Sequence, residues 1–332
     1  MKLICLIAGF GAAVLAMPGV VAQEDTRPVV RPTHTYSIVA RDKTTGALGV
    51  AVQSHWFSVG ARVAWAEAGV GAVATQSFTE VTYGPLGLDL MRAGKTAPEA
   101  LRSLLQSDEG VAVRQVGMVD ADGGVAAHTG ARAIVEHCHH TGDGYSLQAN
   151  LMLKDTVCDA MVRAYEGTEG DLAEKLMRAL EAAQAEGGDI RGKQSAALIV
   201  VEGDKGTAPW NQRSFDLRVD DHAAPVREMR RLLTVARGYK LMNKGDDLWT
   251  EGKVEEALKA YEAAEALMPD NHEAIFWHAT TLAAGGYVEQ ALPLYARAYA
   301  MWPDWRKVVP RLVQSELLPD DPALIEKIVG AR

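Results

Sequence analysis

From about residue 235 onward the chain repeats itself at an offset of 34 residues, and that period restricts the region to one kind of architecture. Leu241 aligns with Ile275, Leu248 with Leu282, Gly252 with Gly286 and Ala257 with Ala291. Leu258 aligns with Leu292, Tyr261 with Tyr295, Ala264 with Ala298 and Pro269 with Pro303. Small residues at positions 257 and 291 let two helices touch, and the tyrosines fill the space between them. The prolines end each second helix, because a proline nitrogen cannot extend the hydrogen-bond ladder.

The period and the placement of the shared residues are those of a tetratricopeptide repeat, a module that holds a protein partner. Only two units are complete, and about three are needed for a stack to stand alone. The region, residues 235–317, is therefore expected to lean on something else. Residues 305–317 can cap it and residues 226–233 can join it to the preceding domain. Trp277, Trp302 and Trp305 read as packing residues of this stack.

The chain starts with Met1-Lys2, an apolar run over residues 3–16 and the small residues Val20-Val21-Ala22. That is the pattern of a signal peptide over residues 1–22, with a mature start at Gln23 and a periplasmic or secreted destination. Residues 23–34, with Pro28 and Pro32, read as a flexible leader. A formal net charge of -9 argues against nucleic acid and anionic membrane as partners. No membrane contact is expected after signal cleavage. Cys138 and Cys158 are the cysteines left after processing, and in an oxidising compartment they can pair.

Between the leader and the repeat lies one domain, residues 35–233. Residues 35–40 and 48–52 alternate as two strands around the turn chemistry of Asp42-Lys43-Thr44-Thr45-Gly46. Residues 59–63 and 69–74 continue as strands. A helix is expected around Leu86 to Met91, and a second after Thr96, where a threonine cap, Pro98 and Glu99 form a helix-start signature. Residues 115–120 and 124–128 form another hairpin. A strand over 145–151, helices over 156–165 and 171–185, and strands over 195–201 and 215–219 complete the order. Runs of strands separated by runs of helices give an α+β class.

The chemistry carried by local motifs is thin. The chain has no phosphate loop, no dinucleotide fingerprint and no nucleophile elbow, so no cofactor is expected. His137-Cys138-His139-His140 is dense in metal-ligand types, but neighbouring residues diverge, and the segment reads as a surface loop with no metal site. Two segments stand out. Ser54-His55-Trp56-Phe57 joins polar and aromatic groups at a strand end. Gly187-Gly188-Asp189-Ile190-Arg191-Gly192-Lys193-Gln194-Ser195 sets cations and amides just before a buried strand.

These segments, with Thr35-Tyr36-Ser37-Ile38-Val39-Ala40-Arg41-Asp42, Ala74-Thr75-Gln76, Ala127-His128-Thr129-Gly130 and Asp216-Leu217-Arg218-Val219-Asp220-Asp221-His222, resemble the bacterial and archaeal family called domain of unknown function 1028. The likeness spans about residues 35–233. It implies the fold of N-terminal nucleophile hydrolases, a four-layer α-β-β-α sandwich. Enzymes of that kind attack with the first residue of the first strand and use its own free amine as base, whose pKa near neutrality suits the task. The resemblance puts Thr35 in that position. Ser54 falls where an acidic partner is usual and Arg62 near the usual lysine, both substitutions. Arginine cannot shuttle a proton, though it can stabilise an oxyanion.

Activity by this route requires a cut between His34 and Thr35. Two functions follow as expectations. One is an exported amidohydrolase acting on a small amide or peptide bond. In it Gln76 and Gln194 or backbone amides bind the oxyanion, Arg191 and Lys193 hold a substrate carboxylate, and His55 and Ser195 line the site. The other is a non-catalytic scaffold that keeps the sandwich and works through the repeat. A second copy of the chain is a further partner open to either.

Overall fold

The computed structural model describes residues 33–208 and 211–332. The expected signal sequence of residues 1–22 and the leader up to residue 32 lie outside the described residues.

β1 (Thr35–Arg41) and β2 (Leu48–Ser54) pair antiparallel from Thr35↔Ser54 to Arg41↔Leu48. Asp42 sets the turn, its Oδ1 accepting the amides of Thr44 and Thr45 at 2.9 and 2.8 Å. Period-2 alternation sends Val39, Val50 and Val52 to one face and Tyr36, Ile38 and Ala51 to the other. Four more strands extend this pair: β7 (Cys138–Gly142), β8 (Tyr145–Ala149), β9 (Ser195–Val201) and β10 (Arg213–Val219). The order is β10-β9-β2-β1-β8-β7. A second sheet contains β3 (Ala64–Glu67), β4 (Gly71–Ser77), β5 (Arg114–Asp120) and β6 (Val125–Thr129), in chain order. All the named pairings in both sheets are antiparallel.

The two sheets share an apolar interior of Val39, Leu48, Val52 and Ile199 against Ala72, Ala74 and Val119. A four-residue helix, α1 (Gly60–Val63), closes one side of it. α2 (Tyr83–Arg92) and α3 (Ala97–Ser107) cover the outer face of the smaller sheet, packing Leu88, Met91 and Leu101 on Val73, Val116 and Met118. α4 (Val157–Gly167) and α5 (Leu172–Ala185) cover the larger sheet through Met161, Leu176 and Leu180. The start of α3 carries the capping box that the sequence predicts: the Thr96 hydroxyl accepts the Glu99 amide, and the Glu99 carboxylate accepts the Thr96 amide at 2.9 Å.

Three local expectations change. Residues 60–63 are helical rather than strand, because Val59 N is caught by Ser195 Oγ at 3.0 Å and Gly60 sits against Ala197, where a Cβ would lie 2.5 Å away. The histidine-rich segment is the edge strand β7 from Cys138 onward, not a loop. Its polar composition suits an edge that faces solvent. A disulfide joins Cys138 of β7 to Cys158 of α4. Thirdly, Thr33 and His34 are fixed rather than flexible. Thr33 bridges to Ser77 through both backbone bonds, at 2.6 and 3.0 Å, and the His34 side chain is buried.

The carboxyl-terminal region is helical. α6 (Pro225–Thr250) runs without a break through the boundary expected between residues 233 and 235. Its first half belongs to the core of the larger sheet through Val226, Met229 and Leu233. Arg230 pairs with Glu174 and Glu181 of α5, and Arg237 with Asp171 and Glu174. α7 (Val254–Leu267) follows α6, and α8 (His272–Ala284) is followed by α9 (Val288–Met301).

The internal similarity has a structural counterpart. Tyr261 donates to Asp246 at 2.7 Å and Tyr295 to Thr280 at 3.0 Å, the same hook one period apart. Gly252 and Gly286 both turn with positive φ, at 76° and 86°, where a side chain is strained. α10 (Trp305–Val308), a 3₁₀ turn (Val309–Leu312) and α11 (Pro322–Val329) close the stack. The cap therefore extends past residue 317 to bury Ile328 and Ala331. No helix among the described residues is long and apolar enough to cross a membrane.

Candidate active site

At one end of the sheet interior the apolar packing gives way to polar side chains. Period-2 alternation turns Thr35, Ser37, Ser54, Gln148, Asn150 and Ser195 of the larger sheet toward Gln76 and Gln115 of the smaller one, and all are fully buried. Burial on this scale demands hydrogen bonds. Gln76 Nε2 donates to Gln115 Oε1 at 2.7 Å and to the carbonyls of Gln148 and Thr35 at 3.2 and 3.3 Å. Ser37 Oγ donates to Gln76 Oε1, and Gln148 Nε2 to Ser37 Oγ, each at 2.6 Å. Gln115 Nε2 reaches Ala149 O at 3.0 Å, Thr129 Oγ1 at 3.0 Å and Cys138 O at 3.2 Å.

The peptide between His34 and Thr35 lies at the rim of this layer. The hydroxyl of Ser54, which stands directly across the hairpin from Thr35, donates to the His34 carbonyl. Arg191 Nη2 donates to the same oxygen at 2.9 Å. Two donors, one of them a permanent cation, thus converge on one amide oxygen. Thr35 Oγ1 donates to Thr33 O at 2.9 Å, and Thr35 O accepts from Asn150 N at 3.1 Å. The His34 ring places Nδ1 2.9 Å from Asn150 Oδ1. Burial holds this imidazole below the usual histidine value. The Asn150 hydrogen bond pulls it back up, and the Arg191 charge adds to the lowering.

Arg191 is aimed by Asp189. The Asp189 carboxylate is wholly buried and accepts Arg191 Nε at 3.1 Å, Arg191 Nη2 at 2.7 Å, Arg191 N at 2.9 Å and His55 N at 3.0 Å. A carboxylate holding Nε and one Nη of a guanidinium at once fixes its plane. The loop from α5 to β9 is therefore a bracket whose outer nitrogen rests on the His34 carbonyl.

The sequence-derived candidates separate accordingly. Thr35, Ser54 and Arg191 meet at one peptide. Arg62 does not join them: α1 turns it into solvent, and its side chain has no hydrogen bond or ion pair among the described residues. The cation at the Thr35 peptide is Arg191. Gln76 spends its amide nitrogen inside the buried network and has no donor left for an oxyanion. Gln194 bonds Asp221, and Ser195 bridges Trp56 O and Val59 N, so both tie loops together. Lys193 is exposed and lines a separate cleft of about 310 Å³ with Gln184, Arg227 and Arg230. His55 contributes its backbone amide to Asp189 while its ring is exposed.

Three residues of the cluster escape sequence reasoning: His34, Asn150 and Asp189. Asp189 lies in the glycine-rich turn before β9, and an acid two residues from a cation is its one local signal. Asn150 follows a strand and precedes Leu151, which has a positive φ of 55°. Nothing local marks His34.

Fold and site together define a mixed α/β protein with two antiparallel sheets, a polar cluster around the first residue of the first strand, and a helical carboxyl-terminal region. Residues 35–229 match the family of unknown function DUF1028, and the chain belongs to that family. Among solved structures it is similar to a Silicibacter pomeroyi protein of the same family, with 27% sequence identity and a TM-score of 0.54. That match covers 61% of this chain and 89% of the other. No curated protein matches the chain.

Proposed function

We propose that the chain is the precursor of an exported amidohydrolase of the N-terminal nucleophile type, with Thr35 as nucleophile after cleavage of the His34–Thr35 bond. The observation that carries this reading is the pair of donors, Ser54 Oγ and Arg191 Nη2, on the His34 carbonyl. A structural amide at a strand start needs neither a buried serine nor an Asp-braced arginine. An amide carbonyl about to become a tetrahedral oxyanion needs both.

The cleavage follows from that arrangement. Thr35 Oγ attacks the His34 carbonyl carbon, and negative charge collects on the oxygen facing Ser54 and Arg191. The C–N bond breaks, the hydroxyl proton passes to the departing Thr35 nitrogen, and an ester remains. Water hydrolyses the ester, giving a His34 carboxylate and a Thr35 with free amine and hydroxyl. The freed amine, with an ordinary pKa of about 8, then serves as base for attack on a second acyl group. The layer order of helices, sheet, sheet and helices supports an N-terminal nucleophile sandwich. Residues 1–22 and the Cys138–Cys158 disulfide support export to an oxidising compartment. The 34-residue period supports a tetratricopeptide-type stack that recruits a protein partner beside this site.

One observation favours the non-catalytic scaffold: Thr35 is wholly buried and its nitrogen is bound in a peptide. Labelling with an electrophilic lactone or activated amide decides between the two. The amidohydrolase reading expects an adduct on Thr35 Oγ and none in Thr35→Ala. Hydrolysis of a panel of acyl amides that survives Thr35→Ala removes Thr35 as nucleophile.

A further inference from the structure

The His34 ring rests against an acceptor whose direction the interior fixes. Carbonyl oxygens only accept, so the end of Gln115 beside Ala149 O and Cys138 O, at 3.0 and 3.2 Å, is the amide nitrogen. Its other end is therefore Oε1. Asn150 approaches that oxygen at 2.9 Å and must present Nδ2 to it. Asn150 Oδ1 is then left facing His34, and it accepts the proton that the ring carries on Nδ1, at 2.9 Å. Turning the Asn150 amide over would set two acceptors against each other at Gln115. Both amides are fully buried, so no water compensates.

We infer that the cavity filled by the His34 ring is the acyl-side specificity pocket of the Thr35 site. It takes peptides or acyl amides whose residue before the scissile bond carries an N–H donor, such as histidine, glutamine or asparagine. This rests on the proposed role of Thr35. The same nucleophile attacks both bonds, so a substrate carbonyl takes the place of the His34 carbonyl, between Ser54 and Arg191. Its side chain then takes the place of the imidazole, against Asn150 Oδ1. An aliphatic group there leaves a buried acceptor unpaired, which discriminates by about ten- to hundred-fold. A site built to hydrogen-bond its substrate rejects an analogue lacking that group far more sharply than an apolar pocket rejects a methylene.

The test uses the full chain, with the His34–Thr35 cut followed by intact mass. His34→Gln and His34→Asn are expected to be cut within a few-fold of the wild-type rate, and His34→Leu about ten- to hundred-fold more slowly. A melting curve checks that each variant folds. If His34→Leu does not fold, the cut wild-type protein is assayed on acetyl-histidyl and acetyl-leucyl anilides, with the histidyl compound expected to win by the same margin. Equal rates for leucine and histidine overturn the donor pocket and leave the Thr35 reading standing. A wild-type chain that is neither cut nor able to hydrolyse either anilide removes that reading, and the pocket with it.

Discussion

Removing the Asp189 carboxylate should unfasten the loop that aims Arg191. In the native protein its side chain is 0% exposed and that of Arg191 is 27% exposed. Four donors point at the carboxylate: Arg191 Nε, Nη2 and N, and His55 N. Asp189→Ala leaves two backbone amides and a partly buried guanidinium without an acceptor. Breaking a buried pair by deleting one partner costs about 3–5 kcal/mol. The partial exposure of Arg191 lets water solvate the orphaned cation, so a loss of about 3 kcal/mol is expected. For a domain of this size that lowers the melting temperature by roughly 6–12 °C. Asp189→Asn keeps one acceptor and loses the charge, so about 1.5–3 kcal/mol is expected. Both changes should slow the His34–Thr35 cut by about a hundred-fold, because the Arg191 nitrogen is no longer held on the carbonyl. Urea denaturation read by circular dichroism measures the stability, and intact mass the cut. Asp143→Ala serves as control, since the Lys43–Asp143 pair is exposed and is worth at most about 1 kcal/mol. A melt of Asp189→Ala indistinguishable from the control would refute the buried bracket.

Other perturbations test the surrounding structure. The Cys138–Cys158 disulfide closes a 20-residue separation, so the Cys138→Ser, Cys158→Ser double variant should lose about 3 kcal/mol in denaturation compared with the oxidised protein. Gly117→Ala places a Cβ 2.2 Å from Gln148 Oε1, inside the buried amide layer, and should cost about 1–3 kcal/mol by the same assay. In the Thr35→Ala chain, which keeps the bond to His34, stability should also depend on His34. Its folded pKa lies below the ordinary 6.5, so the unfolded chain binds the extra proton, and stability falls as the pH drops below about 6.5. Adding His34→Gln to that chain should flatten that part of the profile; an unchanged slope would place the dependence elsewhere. Tyr261→Phe and Tyr295→Phe each remove one hydroxyl hook in the helical stack and should each cost about 1 kcal/mol.

The hairpin around Asp42, the capping box at Thr96 and the helix at Leu172 were legible because their signals lie within a few residues. The 34-residue period was legible for the same reason, repeated. Residues 60–63 read as strand because Val59 and Val63 flank Gly60-Ala61-Arg62, while a serine from β9 captures the turn. β7 misled because an edge strand need not carry the apolar alternation that marks buried ones. The site was half legible. Thr35 came from the family resemblance, Ser54 from a strand end and Arg191 from a glycine-rich turn, but the choice of Arg191 over Arg62 depends on which loop the sheets bring to residue 34. Asn150 acts through contacts with residues far away in sequence, which no local pattern encodes, and Asp189 reaches His55 in the same way, although its pair with Arg191 is local. The unbroken α6 hid the domain junction, since its two halves bury different faces in different cores.

The central claim is that Thr35 becomes an amino terminus. Intact mass and amino-terminal sequencing of the full-length protein, expressed with its leader and isolated after export, test it directly. The account predicts a wild-type chain that begins at Thr35 and a Thr35→Ala chain that keeps the bond to His34. A wild-type chain that still begins at Gln23, with the His34–Thr35 bond intact, contradicts it.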